Sequence, residues 1–139
     1  MAGNPDFAHH VVAEDEETIL FLSKYPTQIG YALICPKAHV EDLAGDLSED
    51  EYLRLQAKVH RLARAMKDFL SVERTYVLSL GSQQGNRHLH FHVVPLPPGV
   101  PYEKQQYHAL MAEHGIVQMD DATMASLAAR LSAAYARLS

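Results

Sequence analysis

The sequence predicts an α+β domain, and three observations carry the prediction. Residues 87–94 alternate histidine with apolar side chains, Arg87-His88-Leu89-His90-Phe91-His92-Val93-Val94, which is the two-residue period of a half-buried strand. Between Ser48 and Phe69 the apolar residues recur every three or four positions, the period of an amphipathic helix. A second stretch of that helical kind closes the chain from Asp120 onward.

At 139 residues, a single domain covering 1–139 can bury a core without disulfide staples. Apolar residues at 47% and charged residues at 21% are the balance of an ordinary globular protein. No run of eighteen apolar residues exists to span a membrane. The start, MAGNPDFAHH, lacks the basic-then-apolar order of a signal peptide, so the cytoplasm is the expected location. Cys35 is the only cysteine, which excludes an intrachain disulfide and a cysteine-rich zinc site. A net charge of −5 without a dense Lys/Arg cluster argues against binding to a nucleic acid backbone. A bound phosphate would have to be held by histidines, backbone N–H groups and a helix terminus.

Taken in order, the first ten residues are polar and uneven, with His9 and His10 expected in solvent. The acidic patch Glu14-Asp15-Glu16-Glu17 suits a turn between short strands, the second being Thr18–Leu22. Pro26-Thr27-Gln28 forms a turn, and residues 30–35 a largely buried strand ended by Pro36, with Cys35 as a small buried hydrophobe. Ser48 with Glu51 is a capping box, and Leu47 with Tyr52 the hydrophobic staple around it. Tyr52, Leu55, Val59, Leu62, Met66 and Phe69 make the core-facing stripe, with His60 just off it at the helix surface.

Residues 75–80 are β-rich and lead to the connection Gly81-Ser82-Gln83-Gln84-Gly85-Asn86, too long for a two-residue hairpin. Its glycines and amides suit a backbone cradle for an anion or an ordinary polar loop. The proline-rich segment from Pro95 to Pro101 is expected to stop the histidine strand. A short helix over about residues 102–114, bearing His108 and His114 at its surface, should end at Gly115. The last helix presents Met124, Leu127, Leu131, Tyr135 and Leu138 to the core or to a subunit contact, and residues 101–139 form a C-terminal helical extension.

On a strand rising roughly 3.3 Å per residue, His88 and His92 each stand about 6.6 Å from His90, within reach of one small anion. One imidazole there would be an ordinary structural residue; three in register mark a site. His-Leu-His-Phe-His-Val-Val at 88–94 resembles the His-φ-His-φ-His-φ-φ signature (φ apolar) of the histidine triad (HIT) family of nucleotide hydrolases and transferases. Upstream, residues 26–39 (PTQIGYALICPKAH) resemble that family's Pro-x-x-x-Gly-x-x-Leu-φ-x-Pro-Lys-x-His segment. The likeness covers residues 11–98, with the long helix between the two segments.

The resemblance implies an antiparallel sheet with helices packed on it, and a homodimer whose two sheets join. It implies a purine nucleotide substrate, attacked at the α-phosphate by His90 to form a nucleotidyl-histidine that water then discharges. A neutral imidazole is a competent nucleophile near pH 7, and mutual repulsion in the row favours a neutral His90. His88 and His92 would orient it, bond phosphate oxygens and protonate the leaving group. The resemblance implies no cofactor, and the leaving group is either an amine or a second nucleotide.

Departures from the pattern are specific. Many relatives carry histidine where this chain has Tyr31, and His39 remains as an outlying histidine with a supporting role. Ser23 stands where an Asp or Asn often binds the ribose, and Gln83, Gln84 and Asn86 are the candidates for phosphate contact. Two other readings stay open: a nucleotide-binding regulator without turnover, and a zinc enzyme with three histidine ligands. Against zinc stands the placement of the imidazoles in a row, where one ion needs them to converge.

Overall fold

The structure, a computed structural model, describes residues 10–80, 88–111 and 115–138. Strands β1 (Val11–Glu14) and β2 (Thr18–Leu22) form an antiparallel hairpin around the acidic turn. Asp15 closes that turn: its Oδ1 accepts from the backbone N–H groups of Glu17 and Thr18, each at 2.8 Å. Like charges crowd there, and Lys58 and Lys37 offset them by pairing with Asp15 and Glu14. After a turn through Gly30, β3 (Ala32–Pro36) lies antiparallel to β2 along its whole length.

Helix α1 (Glu49–Phe69) begins as its local sequence requires. Ser48 Oγ accepts from Glu51 N at 3.1 Å while Ser48 N donates to the Glu51 carboxylate at 2.9 Å. Strands β4 (Arg74–Leu78) and β5 (Phe91–Leu96) complete the sheet, whose order is β1-β2-β3-β5-β4 with every pair antiparallel. Single turns follow, a 3₁₀ turn at Tyr102–Lys104 and α2 (Tyr107–Leu110), and then α3 (Asp121–Arg137), capped by Asp120 accepting from Thr123 N at 2.7 Å. No helix among the described residues is long and apolar enough to cross a membrane.

Both long helices cover one face of the sheet. There Leu20, Ile34, Phe91 and Val93 meet Leu62 and Met66 of α1 and Leu131 of α3. The apolar side of α3 is thus core. The opposite face carries a smaller cluster of Ile19, Phe21 and Cys35, with Leu33 against it. Because both faces of β2 are covered, its sequence Thr-Ile-Leu-Phe-Leu reads as a continuous apolar run instead of alternating.

Three expectations are corrected. Pro95 does not stop β5 but lies within it, opposite Thr75 of β4. Val93 is the last β5 residue laddered to β3, so the N–H that proline lacks is not missed on that side. The helix expected over 102–114 is broken, because Gln106 takes φ +56° between the two short turns. His10 is not in solvent: its side chain is 12% exposed, with Nε2 3.1 Å from Asp121 at the start of α3. His9 and His114 lie outside the described residues.

Candidate active site

The three histidines do not all stand on a strand. The β3–β5 ladder runs from Ala32↔Val93 to Ile34↔Phe91, so His88 and His90 precede β5 and only His92 is within it. Pro36 has no N–H with which to continue the ladder. The approach is instead tied by other bonds: Leu89 N donates to Val40 O at 2.6 Å, and the His88 ring reaches back to the end of β3. The alternation of the sequence survives, since Leu89, Phe91 and Val93 all join the core. Two of the imidazoles are nevertheless buried too, His88 at 5% and His90 at 3% exposure, and His92 is part-buried.

Each ring has its own partner. His88 Nε2 donates to the Pro36 carbonyl at 2.7 Å, and its Nδ1 is buried without a partner among the described residues. His90 Nδ1 donates to the carbonyl of His88 at 2.8 Å. A carbonyl can only accept, so the hydrogen of neutral His90 sits on Nδ1 and the Nε2 lone pair is free. His92 lies beside it, ring centroids 4.8 Å apart, with Nδ1 2.6 Å from the Tyr31 hydroxyl. Burial depresses the pKa of both flanking histidines. For His92 burial and then the neighbouring His90 bring it down to about 4. For His88 burial is likewise the largest cause, opposed by its bond to Pro36.

The other expected site residues fall differently. His39 is 77% exposed and bonded to Glu41 at 2.6 Å, with its ring centroid 5.9 Å from that of His88. It stands beside the cluster, outside the line of His90 and His92. Ser23 follows β2 and turns its hydroxyl to its own loop, accepting from Tyr25 N at 3.3 Å. Its backbone N–H donates to Tyr31 O at 2.9 Å, so it braces the residue behind His92. Gln83, Gln84 and Asn86 lie outside the described residues.

Two features of the site were not assigned from the sequence. One is the direct contact of Tyr31 with His92; the other is Leu33, paired in register with both Phe21 and His92, which sets an apolar floor beside the imidazoles. The unbroken apolar run Ile19-Leu20-Phe21-Leu22 was the available signal that the sheet's second face is also used. Among the described residues no three His, Cys, Asp or Glu side chains are arranged to hold a metal ion.

The family model described as the HIT domain matches residues 4–98, well over half of the chain. The chain belongs to the HIT family. An uncharacterized HIT-like protein of Saccharolobus solfataricus is 30% identical over 89 residues, 62% of this chain and 63% of that relative. The match thus spans less than two thirds of that relative's length. Among solved structures, a Zn-bound histidine triad family protein from Mycobacterium smegmatis superposes with TM-score 0.70 at 26% identity, covering 92% of this chain and 84% of that one. A hypothetical histidine triad nucleotide-binding protein from Sulfolobus tokodaii gives TM-score 0.73 at 24% identity, over 93% and 85% of the two chains. That last likeness speaks to the fold alone, and it is the HIT fold: five antiparallel strands with a long helix and C-terminal helices on one face.

Proposed function

We propose that this HIT protein is a nucleotide hydrolase that attacks the α-phosphate of a purine nucleotide through a nucleotidyl-histidine intermediate on His90. One observation carries the reading: His90 Nδ1 is bonded to the His88 carbonyl at 2.8 Å, which leaves Nε2 with a free lone pair. A neutral imidazole in that tautomer needs no base to become a nucleophile. Nε2 adds to phosphorus, the leaving group departs with the P–X electrons, and water then displaces His90 to release the nucleoside monophosphate. Of its two neighbours, His92 is near enough to bond the phosphate or the departing group, and His88 holds the His90 backbone in place through Pro36. Gln83, Gln84 and Asn86, just before the triad in the sequence, are assigned to the phosphate, with Ser23 and His39 at the margins of the substrate site.

The substrate class is a nucleoside phosphoramidate or a dinucleoside polyphosphate. We assign a second copy of the chain as partner: among the described residues β4 is a sheet edge paired only with β5, and its Val77 is 46% exposed. The test of the activity is release of AMP from adenosine 5′-phosphoramidate and from diadenosine tetraphosphate, with and without EDTA. Release that is resistant to EDTA for the phosphoramidate and lost in His90→Asn is the expected result. Release by the wild type that survives in His90→Asn, or activity that tracks bound zinc, would overturn the assignment. Tight nucleotide binding without turnover would instead indicate a regulator.

A further inference from the structure

Tyr31 is 9% exposed, and its hydroxyl lies 2.6 Å from His92 Nδ1, with the two rings edge-on at 5.5 Å. The backbone on either side is held. Tyr31 N donates to Gln28 O at 3.2 Å, and Tyr31 O accepts from Ser23 N at 2.9 Å. Gly30, at φ +91°, lets the chain reverse just before it. The phenol therefore has a fixed origin and one direction.

Among the described residues, His92 Nδ1 is the only hydrogen-bond partner of that hydroxyl. A phenol carries one hydrogen, and in an enclosed site that hydrogen needs an acceptor. Donation to Nδ1 satisfies both atoms at once. The reverse bond, from an Nδ1–H to the phenol oxygen, would leave the phenolic hydrogen with no acceptor. Burial also holds the phenol up at about 12 and the imidazole down at about 4, so both are neutral over a wide range around pH 7. A neutral imidazole that accepts at Nδ1 carries its hydrogen on Nε2.

His90 has the opposite arrangement, because its Nδ1 faces a carbonyl and its Nε2 is bare. Two rings 4.8 Å apart thus take opposite tautomers, one ready to attack and one ready to donate. We propose that Tyr31 is a positioning residue: by donating its phenolic hydrogen to His92 Nδ1 it fixes His92 as the Nε2–H tautomer, a neutral N–H donor beside the His90 nucleophile. The catalytic use of that donor rests on the hydrolase reading above; the tautomer itself does not.

The experiment reads the two separately. Two-bond ¹H–¹⁵N spectra of the full chain with ¹⁵N-labelled histidine report the tautomer of each ring at pH 7, with His92→Asn identifying the His92 signals. The expected result is a protonated Nε2 and a bare Nδ1 on His92 in the wild type, and loss of that single tautomer in Tyr31→Phe. An Nδ1–H His92 in the wild type would overturn the proposal whatever the variant does, as would an unchanged tautomer in Tyr31→Phe. With adenosine 5′-phosphoramidate, Tyr31→Phe should lower kcat about tenfold, the scale of one orienting hydrogen bond, with KM within about twofold. An unchanged kcat alongside an altered tautomer would remove the catalytic half of the proposal. Absence of turnover in the wild type would count against the hydrolase reading and leave the tautomer result standing.

Discussion

Substitution of Gly30 by alanine should destabilise the fold and disturb the site together. Gly30 has φ +91°, a left-handed conformation that costs a residue with a Cβ about 1–2 kcal/mol. An added Cβ would sit 2.8 Å from Leu70 Cδ1 and 3.1 Å from Pro95 Cγ. The leucine methyl is the end of a flexible side chain and can swing away. The proline ring cannot, since Pro95 is locked in β5 opposite Thr75, and the overlap adds about 1 kcal/mol. Together these give a loss of roughly 2–3 kcal/mol. In urea, with a slope of about 1–3 kcal/mol per molar, the midpoint should fall by roughly 0.7–3 M at unchanged slope. The same variant should lose activity on adenosine 5′-phosphoramidate, because Gly30 is bonded to the residue that contacts His92. A midpoint within about 0.3 M of wild type, far below the shift that slope converts to, would show that the turn accepts a Cβ and refute the reasoning.

Stability should also fall with acidification. His92 titrates near 4 when folded against 6.5 when unfolded, so between these values the unfolded chain binds more protons and stability rises with pH. The loss on going from pH 6.5 to 4 should be roughly 2–3 kcal/mol from His92 after discounting its partial exposure, with His88 acting in the same direction. Urea midpoints measured across that window should fall less steeply in His92→Asn, and an equal slope in both proteins would contradict the assignment. Val77→Lys on the open edge of β4 should shift the sedimentation coefficient from dimer to monomer without lowering the melting temperature of the monomer. Ser48→Ala removes half of the capping box and should cost about 1 kcal/mol by urea unfolding, with no change in kcat.

What could be read from the sequence was what local chemistry decides. Ser48 and Glu51 bond each other across three residues, and the apolar stripe of α1 lands on the core as its period requires. The bounds of β2 follow because Asp15 caps the turn before it. The identity of the three histidines was equally legible, but their surroundings were not. His88 is set by the carbonyl of Pro36, 52 positions away, and His92 by a hydroxyl 61 positions away. No periodicity encodes such distant pairings, so the row of imidazoles on one strand face becomes, in the fold, two buried rings and a part-buried one with separate partners. Pro95 was misleading for a related reason, since proline is excluded only from a strand laddered on both sides at that point. The break at Gln106 has no breaker residue; there the N–H donates to Tyr76 Oη at 2.8 Å, a tertiary bond that overrides helix propensity.

The most direct measurement of the central claim is the stereochemical course at the α-phosphorus. An adenosine 5′-phosphorothioate derivative of single configuration, bearing a competent leaving group, would be hydrolysed in ¹⁸O-enriched water and the configuration of the product read. Each in-line displacement inverts phosphorus, so attack by His90 Nε2 followed by attack of water inverts it twice. Net retention is expected, together with loss of turnover in His90→Asn. Net inversion would mean that water attacks the substrate directly and that His90 never bonds to phosphorus.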